Sequence, residues 1–351
     1  MAGIIERYRD KLPVTAETPV ISLNEGSTPL IPAPGLSQIL GGERKVFLKF
    51  EGLNPTCSFK DRGMTLAVSK AMESECRGVI CASTGNTSAA AAAYAARAGV
   101  PCYVVLPAGK VAAGKLAQAL VHGAAVIPIE GNFDQALQLV VEIAEKEGIT
   151  LVNSLNPYRL EGQKTVAFEI VDTLGEAPAA HFLPVGNAGN ITASWRGYRQ
   201  YHKEGVIPVT PRMFGCQAAG AAPIVHGHPI ENPETIATAI RIGNPASWKG
   251  ALEAIEQSEG EISAVSDDQI LEAYSLLAST EGVFCEPASA ASVAGLLARQ
   301  RAGEEICAEG GKVVCTLTGH GLKDPDRAIA DLDIPEPVSA DLNALRRRMG
   351  L

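Results

Sequence analysis

The chain has 351 residues, of which 46% are hydrophobic and 20% charged. This composition can build cores for two domains of ordinary size and excludes a disordered polypeptide. Acidic residues outnumber basic ones by 39 to 30 and give a net charge of -9, so there is no basic surface for a nucleic acid. No apolar run approaches the roughly 18 residues of a membrane span, and the stretch from Met1 to Lys11 lacks the apolar segment of a signal peptide. The eight cysteines are scattered without a C-x-x-C pair, so we expect free thiols in a cytoplasmic protein.

Short apolar runs alternate with helical patterns from residue 78 almost to the end of the chain. The predicted strands are 78–82, 102–106, 125–129, 150–152, 180–185, 212–216, 262–265 and 312–317. The predicted helices are 60–72, 87–98, 114–122, 133–147, 163–174, 190–203, 267–280 and 287–301. Brief, continuous apolar strands between helices predict an α/β fold of mostly parallel sheet that is covered by helices on both faces. Two such units would place a ligand in the cleft between them, at the carboxyl ends of the strands.

The segment from Glu51 to Gly63 carries a lysine in an unusual place. Lys60 follows a loop of small residues and begins a helix, where the helix dipole disfavours a cation. An ordinary interpretation is a solvated lysine that pairs with Glu51 or Asp61. A desolvated lysine would instead have a lowered pKa and could form a Schiff base with an aldehyde cofactor.

Three further loops follow predicted strands. Residues 83–88 (S-T-G-N-T-S) place small polar side chains at a helix N-terminus, where they either cap the helix or stabilise an anion. Residues 186–190 (G-N-A-G-N) have the glycine spacing of a phosphate-binding nest, although a turn without a ligand would also fit. They match neither G-x-G-x-x-G nor the P-loop, which disfavours NAD and nucleoside triphosphates. Thr318 ends the last strand and either faces a ring nitrogen or simply begins a turn.

A reactive lysine, a phosphate cradle and a ring-facing hydroxyl are what a pyridoxal phosphate site requires. The motifs resemble those of the threonine synthases, within the fold-type-II family of pyridoxal phosphate enzymes, from about Asn24 to Asp331. The motifs that carry the resemblance are N-P-T-C-S-F-K-D-R-G at 54–63, S-T-G-N-T-S at 83–88, G-N-A-G-N at 186–190, E-P-A-S-A-A at 286–291 and T-L-T-G-H-G-L-K-D at 316–324. The run N-S-L-N-P-Y-R-L-E-G-Q-K-T at 153–165 is similar to the synthases rather than to their dehydratase or cysteine synthase relatives.

The resemblance implies pyridoxal 5'-phosphate as the cofactor and a role for each matching residue. Lys60 would form the Schiff base and then move protons about the substrate carbons. Asn86 would bond the phenolic oxygen of the cofactor, and Thr318 would face its pyridine nitrogen. The cofactor phosphate would be held by Gly186, Asn187, Ala188, Gly189 and Asn190. The family usually has Gly where Cys57 stands, a departure that a small thiol should tolerate unless the turn requires a positive φ.

The implied reaction converts O-phospho-L-homoserine and water to L-threonine and phosphate, so a second anion pocket is expected. The expected substrate-binding residues are Ser83, Thr84, Lys110, Asn153, Ser154, Arg159 and Asn187. Lys110 and Arg159 are predicted to lie in loops that follow strands, where an arginine can hold a phosphate with two hydrogen bonds. The alternative for Arg159 is a surface ion pair with Glu161, which would contribute about 0 to 1 kcal/mol.

The remaining expectations concern organisation and alternatives. We expect residues 1–55 and 160–351 to form a large cofactor-binding domain and residues 56–159 a smaller mobile domain. A homodimer is expected, with no membrane or nucleic-acid partner. No metal is expected, since His226 and His228 lie on a loop without neighbouring Cys or Asp ligands. Two other functions remain open: a threonine or serine dehydratase of the same family, and a non-catalytic sensor of small molecules.

Overall fold

The computed structural model describes residues 2–108, 113–330 and 335–351. The strands are β1 (Leu30–Pro32), β2 (Lys45–Phe50), β3 (Val79–Ala82), β4 (Cys102–Pro107), β5 (Ala125–Ile129), β6 (Thr150–Leu151), β7 (Ala180–Pro184), β8 (Arg212–Ala218), β9 (Glu261–Val265) and β10 (Lys312–Leu317). The helices are α1 (Ile4–Arg7), α2 (Pro34–Ile39), α3 (Lys60–Glu73), α4 (Asn86–Ala98), α5 (Ala113–Val121), α6 (Phe133–Glu147), α7 (Pro157–Gln163), α8 (Thr165–Leu174), α9 (Gly189–Lys203), α10 (Pro223–His226), α11 (Trp248–Gln257), α12 (Asp267–Glu281), α13 (Pro287–Arg301), α14 (Pro325–Ile329) and α15 (Leu342–Met349).

The described strands form two sheets. One has six strands in the order β1-β2-β10-β7-β8-β9, and the other has four in the order β5-β4-β3-β6. All neighbouring strands are parallel except β1 and β2, in which Leu30 lies opposite Lys49. The predicted α/β fold with mostly parallel sheet is therefore confirmed.

Helices cover both faces of each sheet, and this explains why the strands are apolar without alternation. On the six-stranded sheet, α2, α12 and α13 pack against one face, and α1, α8, α9 and α11 pack against the other. On the four-stranded sheet, α3, α4 and α5 cover one face. The opposite face, with Ile80 and Val105, packs against Ala136 and Val140 of α6. The parallel strands end at the edges that carry the polar loops of the motifs.

All eight predicted strands occur, but β1 and β2 were not predicted. Strand β2 is not recognisable as a buried strand from its sequence, because K-V-F-L-K-F has a lysine in the strand interior. Lys49 is 1% exposed and donates hydrogen bonds of 2.7 Å to Glu169 Oε2 and to the carbonyl oxygen of Thr28. A buried carboxylate from α8 thus accommodates a charge that local sequence patterns mark as exposed.

A buried ionic cluster attaches the first turn of α3 to the end of β2 and to α8. Arg62 donates to Glu51 Oε2 at 2.7 Å and to Glu169 Oε2 at 2.7 Å, and all three side chains are almost fully buried. These two positive partners of Glu169, Arg62 and Lys49, hold the pKa of its carboxyl well below the usual range despite burial. Removing one member of such a cluster typically costs about 3–5 kcal/mol, so the start of α3 is rigidly held.

The predicted helix 163–174 corresponds to α8, whereas α7 was not predicted, and the prediction of a loop at Arg159 is wrong. The close crossing of α7 over the first turn of α3 explains the difference. A Cβ atom at Gly162 would lie 2.0 Å from the carbonyl oxygen of Arg62, and one at Gly63 would lie 2.7 Å from Arg159 Nε. Only glycine at both positions permits this approach, which brings α7 against the helix that Lys60 begins.

Two further findings concern the chain as a whole. All eight cysteines are free, and six of them are buried. Within the described residues, no helix has both the length and the apolar composition needed to cross a membrane.

Candidate active site

Backbone hydrogen bonds hold the loop that precedes Lys60 against the end of β10. The N–H of Phe59 donates to the carbonyl oxygen of Thr318 at 2.9 Å, and the N–H of His320 donates to that of Cys57 at 3.0 Å. The loop turns at Cys57, whose φ is +64°. The turn therefore does require the positive φ that favours glycine. Lys60 and Thr318 are placed together, although they are far apart in the sequence.

The Lys60 amine has the environment of a nucleophile. Glu51 bonds to Arg62, and Asp61 accepts from the N–H of Thr56 at 2.6 Å, so the expected pairing of Lys60 with either carboxylate is not present. Within the described part of the chain, the amine makes no hydrogen bond or ion pair; it lies 4.4 Å from the ring centroid of Phe59. Burial, followed by the positive charge of Arg159, lowers the pKa of Lys60 to about 7, against the opposing charge of Glu286. A large fraction of this amine is neutral at neutral pH.

Residues 186–190, the predicted phosphate cradle, lie where β7 leads into α9. Ala188 adopts a left-handed φ of +62° immediately before the helix begins at Gly189. Over the described chain, no backbone carbonyl accepts a hydrogen bond from the N–H groups of residues 186–190. The Nδ2 atom of Asn190 is also buried without a partner. Free N–H groups, a buried amide and a helix N-terminus are the features of a phosphate site.

Asn86 and Thr318 meet at a carboxylate that the sequence analysis did not assign. Asn86 Nδ2 donates to Glu286 Oε2 at 3.2 Å, and Thr318 Oγ1 donates to Glu286 Oε1 at 3.3 Å. The Thr318 hydroxyl also lies 3.0 Å from Ser289 Oγ. Glu286 is 4% exposed, and burial raises the pKa of its carboxyl. The sequence does contain a feature that marks Glu286: it belongs to the E-P-A-S-A-A motif and directly precedes Pro287 at the start of a helix.

Arg159 is a buried cation that lacks a paired carboxylate. It is 1% exposed on α7, and its Nη1 donates to the carbonyl oxygen of Val152 at 2.6 Å. Its Nε is buried without a partner, and among the described residues no carboxylate forms an ion pair with it. The alternative of a surface pair with Glu161 is wrong, because Glu161 pairs with Lys164 and Arg196. Burial lowers the pKa of Arg159 to about 10, because it disfavours the charged form of the guanidinium.

Asn153 and Ser83, two further candidate substrate residues, lie near the end of β3. Both amide atoms of Asn153 bond to the backbone of Ala82 at 2.9 Å, so this side chain also closes the end of the strand. Ser83 Oγ accepts from the N–H of Ser88 in the first turn of α4 at 3.2 Å, although the N-cap residue of this helix is Gly85. Ser154 is half-buried. Lys110 lies outside the described residues.

The histidines His226, His228 and His320 contact aromatic rings or solvent. His226 and His228 are exposed, and their ring centroids are 6.0 Å apart. In the described ranges, no group of three or more Cys, His, Asp or Glu side chains is arranged to hold a metal ion. His320, near Thr318, stacks on Phe50 at 5.9 Å and meets the edge of Phe284 at 5.7 Å.

The fold, the lysine with a lowered pKa and the loop with free backbone N–H groups are typical of the pyridoxal phosphate enzymes of fold type II, and comparisons with known proteins agree. Residues 21–319 match the family model described as pyridoxal-phosphate dependent enzyme. A threonine synthase of Synechocystis sp. is 58% identical over 99% of this chain and 91% of that protein. Another, from Mycobacterium leprae, is 59% identical over 99% of this chain and 96% of that protein. Maize serine racemase has a TM-score of 0.76 at 20% identity, over 100% of this chain and 98% of that one, and shows the fold alone.

The chain belongs to the pyridoxal-phosphate dependent enzymes, and within them to the threonine synthases. The resemblance inferred from the motifs is confirmed. The residues also fit the cofactor on structural grounds. The amine of Lys60 is neutral enough to react with an aldehyde, and the cradle with the unpaired Asn190 Nδ2 is suited to a phosphate.

Proposed function

We propose that this chain converts O-phospho-L-homoserine and water to L-threonine and inorganic phosphate. The structural observation that carries the proposal is the buried guanidinium of Arg159, which lacks a paired carboxylate and lies close enough to Lys60 to lower its pKa. A substrate that brings its own phosphate supplies the missing anion. The names and identities of the similar threonine synthases support the same reaction.

The cofactor, when bound, supplies the electron sink for carbanion chemistry. The chain supplies the proton transfers. With its pKa lowered to about 7, the Lys60 amine can take a proton from the α carbon of the substrate and exchange protons at the β carbon. Its position at the start of the rigidly held α3 keeps the amine at one place throughout these steps.

The cofactor phosphate and the substrate phosphate are each assigned to a separate anion site. We assign the cofactor phosphate to the cradle of residues 186–190 and the substrate phosphate to Arg159. Phosphate leaves from the γ carbon and water adds at the β carbon, so Arg159 stabilises the charge that develops on the leaving group. The proposed helpers around the substrate are Ser83, Thr84, Asn153, Ser154 and Asn187, with Lys110. Asn187 Oδ1 accepts from the N–H of Ala246 at 3.3 Å, which leaves its amide N–H groups for an anion.

At the ring end of the site, we assign Asn86 to the phenolic oxygen of the cofactor and Thr318 to its pyridine nitrogen. Both lie at the ends of secondary-structure elements that meet in the cleft: Asn86 begins α4, and Thr318 follows β10. A neutral hydroxyl, unlike a carboxylate, does not hold a proton on that nitrogen.

The organisation of the molecule is part of the same proposal. Residues 1–55 and 160–351 would form the large domain and residues 56–159 the smaller mobile one. The two sheets support this division, because all strands of the four-stranded sheet lie between residues 79 and 151. We further propose a homodimer in the cytoplasm, and the eight free cysteines are consistent with a reducing compartment.

One assay separates the proposed reaction from its alternatives. Purified protein loaded with pyridoxal phosphate is mixed with O-phospho-L-homoserine, and threonine and free phosphate are measured together. Equal amounts of both are expected, and Lys60→Ala should give neither. Formation of a 2-oxoacid and ammonia from serine or threonine, without phosphate release from O-phospho-L-homoserine, would make the chain a dehydratase. Absence of any turnover and of a visible absorption band would favour the sensor.

A further inference from the structure

Glu286 lies between the two side chains assigned to the cofactor ring. Its carboxylate accepts from Asn86 Nδ2 at 3.3 and 3.2 Å and from Thr318 Oγ1 at 3.3 Å. Asn86 begins a helix that packs on the four-stranded sheet, whereas Thr318 directly follows a strand of the six-stranded sheet. A single buried carboxylate thus joins the two halves of the site.

The backbone around Glu286 is built to hold this position. The N–H of Glu286 donates to the carbonyl oxygen of Gly319 at 3.0 Å, and the N–H of Gly319 donates to Ser289 Oγ at 2.9 Å. A Cβ atom at residue 319 would lie 2.5 Å from Glu286 Oε1, so glycine is required for the carboxylate to approach. Although Glu286 is the N-cap residue of α13, its side chain makes no capping bond. The carboxylate is therefore directed into the site.

Burial and the groups that face Glu286 act on its carboxyl in opposite directions. Burial raises the pKa of this carboxyl, while the hydrogen bonds from Asn86 and Thr318 and the positive charges of Lys323 and Lys60 oppose the shift. Lys323 is itself placed by hydrogen bonds to the carbonyl oxygen of Thr56, at 3.2 Å, and to Gln118. Both oxygens of Glu286 accept from Asn86 Nδ2, so this contact fixes which atom of the Asn86 amide points toward Glu286.

We propose that Glu286 is a positioning residue, which orients Asn86 and Thr318 so that both can bond the cofactor ring. This inference rests on the assignment of those two residues to the ring in the proposed function. The Asn86 amide nitrogen has two N–H groups. With one donated to Glu286, the other is held ready for the phenolic oxygen. Without Glu286 the amide can turn over and present its carbonyl oxygen, which repels that group.

The test measures cofactor affinity and the absorption spectrum of the bound cofactor, in the absence of substrate. Glu286→Ala should weaken pyridoxal phosphate binding about ten- to a hundredfold, the value of one hydrogen bond to a charged group. Glu286→Gln should recover most of the affinity, because its amide oxygen still accepts from Asn86. In the Asn86→Ala background, Glu286→Ala should cost clearly less than in the wild type, since residues that act through each other are not additive and only the Thr318 contact is left to lose. A matched control is Glu25→Gln, a buried carboxylate that accepts from Tyr94 at 2.9 Å; it should leave the spectrum unchanged.

Full additivity of the two alanine substitutions, or unchanged affinity in Glu286→Ala, would overturn the positioning role. Equal losses in Glu286→Gln and Glu286→Ala would show that the effect comes from the charge of Glu286 and would also overturn the positioning role. If Glu286→Ala does not fold, Glu286→Asp withdraws the carboxylate from Asn86 and keeps the charge; unchanged affinity in that variant also overturns the proposal. These readouts do not depend on the substrate, so a wild-type protein that fails to release phosphate would refute the proposed reaction alone.

Discussion

The guanidinium of Arg159 is buried against the first turn of the helix that Lys60 begins, and its positive charge disfavours a proton on the Lys60 amine. Two cations without a shared carboxylate are costly to bury, and the cost is tolerated at sites that bind anions. The arrangement gives one residue two effects: Arg159 keeps Lys60 reactive and offers a partner to an anionic substrate.

The electrostatic effect can be measured in the protein freed of its cofactor. Lys60 should titrate near 7, because burial and Arg159 both disfavour its ammonium form. Arg159→Met removes the positive charge and keeps much of the volume, so the pKa of Lys60 should rise. The measurement is the pH dependence of labelling by an amine-selective reagent, with Lys60 located by peptide mass. A midpoint near the ordinary lysine value in the unmodified protein would contradict this description of the site.

Lys60→Ala should abolish turnover and leave the fold intact. The amine makes no hydrogen bond or ion pair within the described residues, while the neighbouring Arg62 anchors the helix through Glu51 and Glu169. The free energy of unfolding should therefore change little in the protein without cofactor. Steady-state activity and urea unfolding are the two measurements. Activity near that of the wild type would remove Lys60 from the reaction.

Arg159→Ala should lower kcat/KM for O-phospho-L-homoserine about ten- to a hundredfold. Loss of a hydrogen bond to a charged group costs about 1.5–3 kcal/mol, and the absorbance of the bound cofactor should not change. The matched control is Arg196→Ala, since Arg196 is an exposed arginine that pairs with Glu161 at 3.7 Å; its loss should have little effect. An equal loss of activity toward unphosphorylated amino acids would exclude a phosphate contact and support the dehydratase alternative.

The position of Arg159 also shows where sequence patterns stop being informative. The strands β5 and β10 and the helices α6 and α13 occur at the predicted bounds, because each has a continuous apolar pattern or clear end signals. Helix α7 has no such pattern: in P-Y-R-L-E-G-Q a buried arginine occupies a core position. Its helical packing depends on the close approach of Gly63 and Gly162, which only the three-dimensional structure shows.

The site residues also differ in whether the local sequence indicates a role for them. Lys60, Asn86, Thr318 and residues 186–190 could be proposed as site residues because each lies in a motif at the end of a strand or the start of a helix. Glu286 was quoted within a motif but received no role, because nothing in its local sequence indicates that it meets Asn86 across the cleft. Contacts between residues 200 positions apart are properties of the tertiary fold.

Gly189→Asp should weaken pyridoxal phosphate binding severely, because its negative charge would enter the proposed cradle and repel the cofactor phosphate. The nearest atoms to a Cβ at this position are Leu160 Cδ2 at 3.5 Å and Ser247 Oγ at 3.8 Å, so a side chain fits. Gly189→Asn is therefore a neutral control of the same shape, and it should bind the cofactor better than the aspartate variant. An aspartate at a helix N-terminus does not destabilise the helix. Unchanged cofactor occupancy in Gly189→Asp, at low cofactor concentration, would reduce this loop to a simple turn.

The last prediction concerns the strained turn before Lys60. Cys57 has a φ of +64° in a loop whose backbone bonds to His320. A non-glycine residue in the left-handed region costs about 1–2 kcal/mol, and the greater freedom of glycine in the unfolded chain offsets part of that cost. Cys57→Gly should therefore raise the free energy of unfolding by about 1 kcal/mol and change activity only modestly, because the backbone bonds that place Lys60 remain. Urea unfolding and kcat are the measurements.

Cys76→Gly is the matched control for Cys57→Gly. Cys76 is also half-buried but has no positive φ, so this substitution should destabilise the protein. A gain in activity of several orders of magnitude in Cys57→Gly would mean that the thiol impairs or specialises this site, and equal stability changes in both variants would mean that the turn carries no strain.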